Sequence, residues 1–273
     1  MSKFLDQSGV TALTKNYDER YASIVDTPSA IPSSTISLIM AGVDPSSVDP
    51  VLENNSWATI RTICELGLAS AVGWAVGDTK QVVGGDGYSR PVMIVDMQGL
   101  YNKHVVFQFR YRTENSYAWD PDNINDYAAS DMNTVHLVAG SACFNELVSN
   151  DLAAQLTNTT VKVAENGNSS TLVDVTNKLF LPAEKEISST RNYSRFEEFD
   201  ALITFQWYIT HNTAADYIIH KASNPTGTSG SVWWERSSLR GSNSSACNID
   251  SNGLFYNADA WVAVYGVAPC FAF

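Results

Sequence analysis

Charge is scarce in this sequence. Of its 273 residues 17% are charged, against about 25% in typical soluble proteins. A polar surface must therefore be built from Ser, Thr, Asn and Gly. Basic residues are scarcer still: 17 Lys and Arg stand against 29 Asp and Glu, a net charge of −12. Nucleic acid and anionic lipid both need a basic face, so neither is expected as a partner. Long apolar runs are missing as well. No stretch approaches the roughly 18 residues that carry a helix across a bilayer, and membrane insertion is not expected. The opening Met1-Ser2-Lys3-Phe4-Leu5-Asp6-Gln7 lacks the basic-then-apolar order of a secretory leader, so synthesis in a cytoplasm is expected. Cysteine is limited to Cys64, Cys143, Cys247 and Cys270, with no C-x-x-C pair. Zinc and thioredoxin-like readings lose their support. Four reduced, buried thiols are expected, and Cys247 with Cys270 is the pairing to consider if a disulfide forms.

The common catalytic motifs are also missing. His104, His136, His211 and His220 include no i,i+4 pair, and there is no H-E-x-x-H. No G-x-S-x-G, G-x-x-x-x-G-K-[ST] or G-x-G-x-x-G occurs; Gly227-Thr228-Ser229-Gly230 reads as a linker-like loop. The densest acidic run, Trp119-Asp120-Pro121-Asp122-Asn123-Ile124-Asn125-Asp126, has the oxygens calcium uses. However, Ile124 occupies a ligand position and no Glu closes the loop, so an Asx-turn is expected instead. Glu184 and Glu186 fall on different faces of a short helix, so they are not an acid–base pair and read as solvated surface. Glu235 and Arg236, beside two Trp, read as members of a partly buried structural ion pair with other groups. No catalytic residue, metal or cofactor is assigned.

What is present falls into two regions. Residues 1–50 hold no Trp and no Cys. A thin apolar stripe (Phe4, Leu5, Val10, Leu13, Tyr17, Tyr21) suits a weak helix, then Pro28, Pro32, Pro45 and Pro50 break the pattern. Within it, Ile36-Ser37-Leu38-Ile39-Met40 reads as a short strand. This region is expected to attach or oligomerise the chain.

Residues 51–273 carry all 7 Trp and read as the main body. Asn55-Ser56 should cap a helix bearing Trp57, Ile60, Ile63, Cys64 and Leu68. Runs at 79–83 and 88–95 flank Gly84-Gly85-Asp86-Gly87, a hairpin signal, and 104–109 continues the sheet. Residues 131–156 read as two short helices separated by Gly140-Ser141. Residues 160–163 and 178–181 read as strands, 183–187 as a helical turn, and 197–210 as a longer helix with Phe199, Leu202, Ile203 and Trp207 inward. Further strands are expected at 232–234, 246–249, 260–264 and 267–273. Helices and short antiparallel strands in irregular order define an α+β class.

The stretch 238–259 is the richest in adaptable polar groups. Arg240, Asn243, Asn248, Asp250, Asn252, Tyr256 and Asn257 punctuate a scaffold of Cys247, Ile249, Leu254, Phe255 and Trp261. Tyr, Asn, Ser and Gly are favoured in binding surfaces, and these seven are the candidate binding residues, expected on one outward face far from residue 1. Composition alone balances that reading evenly against a solvated hairpin that binds nothing.

Val232-Trp233-Trp234-Glu235-Arg236-Ser237, followed by a polar hairpin and Gly266-Val267-Ala268-Pro269, resembles a family of uncharacterised domains found in phages and prophages of gut bacteria. Trp57-Ala58-Thr59-Ile60, Gly77-Asp78-Thr79-Lys80 and Lys178-Leu179-Phe180-Leu181 resemble the same family, so the likeness spans 51–273. Phe4-Leu5-Asp6-Gln7-Ser8-Gly9-Val10 resembles the starts of phage tail proteins. The resemblance implies a C-type-lectin-like head, the fold also used by formylglycine-generating enzymes. The reactive cysteine pair, the iron-binding histidines and the lectin calcium motif of that fold are not matched here. The implied role is display: a virion tail-fibre or tail-tip subunit recognising a host-surface glycan or protein. It would contact other virion proteins and form a homo-oligomer, with a trimer favoured. The rival role is a structural virion protein without a receptor, such as a capsid decoration or baseplate piece.

Overall fold

The computed structural model describes residues 33–40, 42–226 and 230–273. The amino-terminal stripe and the Gly227–Gly230 loop, its last residue excepted, lie outside them, as does any statement of distance from residue 1. The chain divides into two compact units, Met1–Ser47 and Val48–Phe273.

In the first unit, residues 36–40 belong to a helix, α1 (Ser33–Met40), and not to a strand. A run of apolar residues this short does not distinguish the two. At the carboxyl end of α1, Gly42 takes φ +78. Its N–H donates to Ile39 and that of Val43 to Leu38, at 3.0 and 2.9 Å, a glycine-closed helix end.

The second unit is α+β. Helix α2 (Trp57–Glu65) starts at Ser56, whose hydroxyl accepts from the Thr59 N–H, and it buries Trp57, Ile60, Ile63 and Cys64. Strands β1 (Thr79–Val83) and β2 (Ser89–Asp96) form the expected hairpin. They continue through β3 (Val106–Phe109) into β11 (Cys270–Ala272), all antiparallel. Phe180 bridges the far side of β11, so the strand nearest Phe273 lies inside the fold. Trp57, Phe107, Phe271 and Phe273 meet there; Phe107 stacks on Phe271 at 5.1 Å and Trp57 meets Phe271 edge-on at 5.8 Å.

A short parallel pair joins β4 (Tyr111–Arg112) to β7 (His220–Lys221). Residues 131–156 form three pieces rather than two: a turn of π-helix at Met132–His136, α3 (Ala142–Leu147) and α4 (Asn150–Gln155). Ser141 and Ser149 each cap a helix with a side-chain oxygen. Strand β5 (Thr159–Ala164) pairs with β6 (Leu172–Asn177). The partner strand therefore precedes residues 178–181, of which Leu179, Phe180 and Leu181 are buried and Phe180 makes a single bridge to β11 instead.

Helix α5 (Glu184–Ile187) follows Pro182 as expected. The long helix over 197–210 is instead two short ones, α6 (Phe196–Ala201) and α7 (Gln206–Thr210). Between them the Thr204 hydroxyl donates to the Lys185 carbonyl at 2.9 Å. The Phe205 N–H donates to Glu186 at 2.8 Å. These tertiary bonds unwind the middle and leave Ile203 exposed. Helix α8 (Ala214–Tyr217) follows.

The last sheet is antiparallel, in the order β10 (Phe255–Asp259), β9 (Ser245–Ile249), β8 (Trp233–Ser238). Strands β8 and β9 are buried along their whole length, whereas β10 alternates towards solvent. Residues 260–264 are a turn and not a strand. Among the described residues, no helix is long and apolar enough to cross a membrane.

Candidate functional site

The β8–β9–β10 sheet and its two connecting turns carry the candidate binding residues, and the register decides where Asn248, Tyr256 and Asn257 go. Asn248 lies opposite Trp234 on one side and Tyr256 on the other, so these three share a face. Trp233, Ile249 and Phe255 form the neighbouring row, on the opposite face. Both tryptophans are fully buried. Trp233 donates its indole N–H to the Tyr217 carbonyl at 3.2 Å, and Trp234 donates to Tyr117 at 2.9 Å. Tyr265 packs edge-on against Trp234 at 4.7 Å.

The seven candidates do not form one patch. Arg240 and Asn243 are exposed in the β8–β9 turn. The Arg240 N–H donates to the Tyr193 carbonyl at 3.0 Å, and the Asn168 amide donates to the Asn243 side-chain oxygen. Asp250 and Asn252 lie in the β9–β10 turn, at the other end of β9. Five residues at about 3.3 Å each put the turns roughly 16 Å apart.

Asp250 is half-buried, and its Oδ1 accepts the N–H groups of Asn252 and Leu254, both at 2.8 Å. That carboxylate is committed to holding the turn. Asn248 is 0% exposed, which corrects its expected outward position. Neither its amide oxygen nor its amide nitrogen has a protein partner. Asn257 is half-buried, and Tyr256 is 56% exposed.

Next to β10, Leu254, Trp261 and Val264 are also more than half exposed, which corrects the placing of Leu254 and Trp261 in the scaffold: they fall in the turns before and after β10, outside the packed strands. The exposed set therefore runs along the β10 edge, with a polar turn at either end. Gly253 locks one end. Its φ is +77, and a Cβ there would stand 1.8 Å from the Ala214 carbonyl oxygen. No side chain but hydrogen fits.

Beneath this sheet lies a group that the sequence did not reveal. Glu184 and Glu186 are fully buried, not solvated as expected. Glu184 accepts backbone N–H groups from Asn192, Tyr193 and Ser194, the last at 2.6 Å, and so clamps that loop. Glu186 takes both terminal nitrogens of Arg236, one of them at 2.6 Å. It also accepts from the Tyr101 hydroxyl and from the Ala183 N–H. Glu198 accepts from the Ser237 hydroxyl at 3.1 Å.

Glu235 is fully buried, and neither carboxylate oxygen has a partner. Of the adjacent residues, then, Arg236 makes the expected ion pair and Glu235 does not. Burial, with Glu184 and Glu198 nearby, pushes the Glu235 carboxyl well above its usual range. Burial raises Glu198 to about 7. Both shifts favour the neutral acid, which limits the number of unpaired buried charges.

All four cysteines are free and buried. Burial raises each thiol, and Glu235 and Glu184 add to the effect at Cys247. Thiols held protonated in this way are poor nucleophiles. Asp120 forms the expected Asx-turn, accepting from the Asp122 N–H at 2.9 Å.

A family profile described as a domain of unknown function, DUF6273, matches residues 100–273. No curated protein and no solved structure matches the chain.

Proposed function

The chain belongs to the DUF6273 family. From the resemblance of its sequence to phage and prophage proteins, we propose that it is a phage virion protein, a tail-fibre or tail-tip subunit with a recognition surface for the host cell. On this reading residues 51–273 form a C-type-lectin-like head, and residues 1–50 attach it to the particle or to sister chains, most simply as a trimer. The role is binding, not catalysis, and the place of action is the virion.

One observation carries the proposal. Tyr256 and Trp261 stand 56% and 55% exposed beside a sheet whose other two strands are buried throughout. Large aromatics bury much area at little ordering cost when they meet a partner. Arg240, Asn243 and Asn252 add hydrogen-bonding groups at the ends of the sheet. The buried Glu184 and Glu186 networks hold the loops behind it, as recognition by preformed surfaces requires. Raised, buried thiols weigh against the cysteine chemistry of formylglycine-generating enzymes.

A second reading, a structural virion protein, draws on Leu254 and Val264, which are 54% and 65% exposed. Aliphatic side chains suit a neighbouring subunit better than a sugar. The two readings part in a competition assay. Purified chain added to host cells before the phage should block adsorption if it binds the receptor. Undiminished adsorption, with the chain present in purified particles, would select the structural reading.

A further inference from the structure

A groove away from the β8–β10 sheet carries a separate inference. It encloses about 610 Å³ between the loop after β2, the outer face of the β5–β6 hairpin and the α6–α7 connection. A second hollow of about 450 Å³ continues it past Ile203, sharing Leu202 and Ile203 as a wall. This size suits a small-molecule ligand.

The floor of the groove is held in an unfavourable shape. Tyr101 and Asn102 are consecutive non-glycine residues in the left-handed region, at φ 60 and 56. Such a pair persists only where surrounding contacts over-determine it. Here the Tyr101 hydroxyl donates to Glu186, which is paired with the fully buried Arg236. The Tyr101 ring meets Phe180 edge-on at 5.3 Å. Beside it, Lys103 donates to the Thr157 hydroxyl at 3.0 Å. The floor is thus preformed and tied into the buried core.

The lining identifies the ligand class. Lys162 and Asp174 pair at 2.9 Å, each more than half exposed. Asn102 and Asn158 each bring an amide that can donate and accept. Donors and acceptors are interleaved with no unmatched charge between Lys162 and Asp174, beside the apolar wall of Leu202 and Ile203. Lys103, which also lines the groove, makes no ion pair among the described residues, but its ammonium is already held by the Thr157 hydroxyl, and an anion approaching it meets a chain of net charge −12. A hydroxyl both donates and accepts, and a sugar ring presents C–H faces to apolar and aromatic groups.

We propose that this groove binds a short neutral oligosaccharide, on the order of two or three rings long. The site is independent of the β10 surface and stands or falls apart from it.

The test uses the full chain with maltotriose, cellotriose and chitotriose as neutral probes and dextran sulfate as the anionic one, read by saturation-transfer NMR and calorimetry. At least one neutral trisaccharide should bind. Ile203→Arg and Asn158→Ala, both at exposed positions, should weaken it tenfold or more with the melting temperature unchanged. Tyr256→Ala should leave this binding intact. Silence from all three trisaccharides at concentrations on the order of 10 mM overturns the proposal. So does preference for dextran sulfate, or loss of binding in Tyr256→Ala but not in Ile203→Arg.

Discussion

Asn248 and Tyr256 are cross-strand neighbours, yet one is fully buried and the other stands in solvent. Sequence alternation put Asn248 outward because it assumes that one face of a strand is wet. That assumption fails for β9, which sits between two strands with material packed on both faces. A strand of this kind loses its alternating pattern. Tyr256 lies on the edge strand, where the assumption holds, and its exposure was legible. Glu184 and Glu186 were misread for a related reason: a carboxylate can be buried when it finds N–H groups or a guanidinium, and those partners come from residues 192–194 and 236. Gly253 shows the residue scale most sharply. Its positive φ and the Ala214 carbonyl 1.8 Å from a would-be Cβ both oppose a side chain. Gly253→Ala should cost at least about 1–2 kcal/mol, read as a lowered denaturation midpoint in urea.

At the scale of elements, the helix cap at Ser56, the β1–β2 hairpin and the strand near Phe273 were all readable, because each rests on local signals: a capping hydroxyl, a Gly-rich turn, an unbroken apolar run. The splitting of 197–210 into α6 and α7 was not readable. It depends on bonds from Thr204 and Phe205 to α5, which no local pattern announces. Strand β11 carries the aromatic centre of its sheet, so Phe271→Ala should cost about 3–5 kcal/mol, measured by chemical unfolding.

Helix α6 contributes a pH dependence through Glu198. Its folded value, about 7, lies above the usual carboxylate range near 4.3. The protonated form is therefore the one favoured by folding. That contribution is fully present below about pH 4.3 and is lost as the pH rises through 7. Glu198→Gln should remove this part of the slope, so that the variant gains on the native chain between pH 5 and 7. Parallel unfolding curves across that range would contradict the assignment.

For the whole molecule, the division at Ser47 and Val48 makes a direct prediction. Residues 48–273 should fold alone and melt in one cooperative step, because the Trp57, Phe107 and Phe271 cluster and all four sheets of the described residues lie within them. Sedimentation should show this fragment as a monomer and the full chain as an oligomer. A fragment that aggregates or lacks a transition would contradict the division.

The α+β class was legible from irregularly mixed helical and strand patterns. The shape of the exposed surface was not, since it depends on which strand of the last sheet became its edge. That edge is where the functional account rests. Its most direct test is the binding of the purified full chain to intact host cells, compared between the native sequence and Tyr256→Ala. The account predicts that the native chain binds and that the substitution weakens binding tenfold or more with the melting temperature unchanged, since a solvent-facing side chain contributes little to folding. Equal binding by both, or none by the native chain, would contradict it.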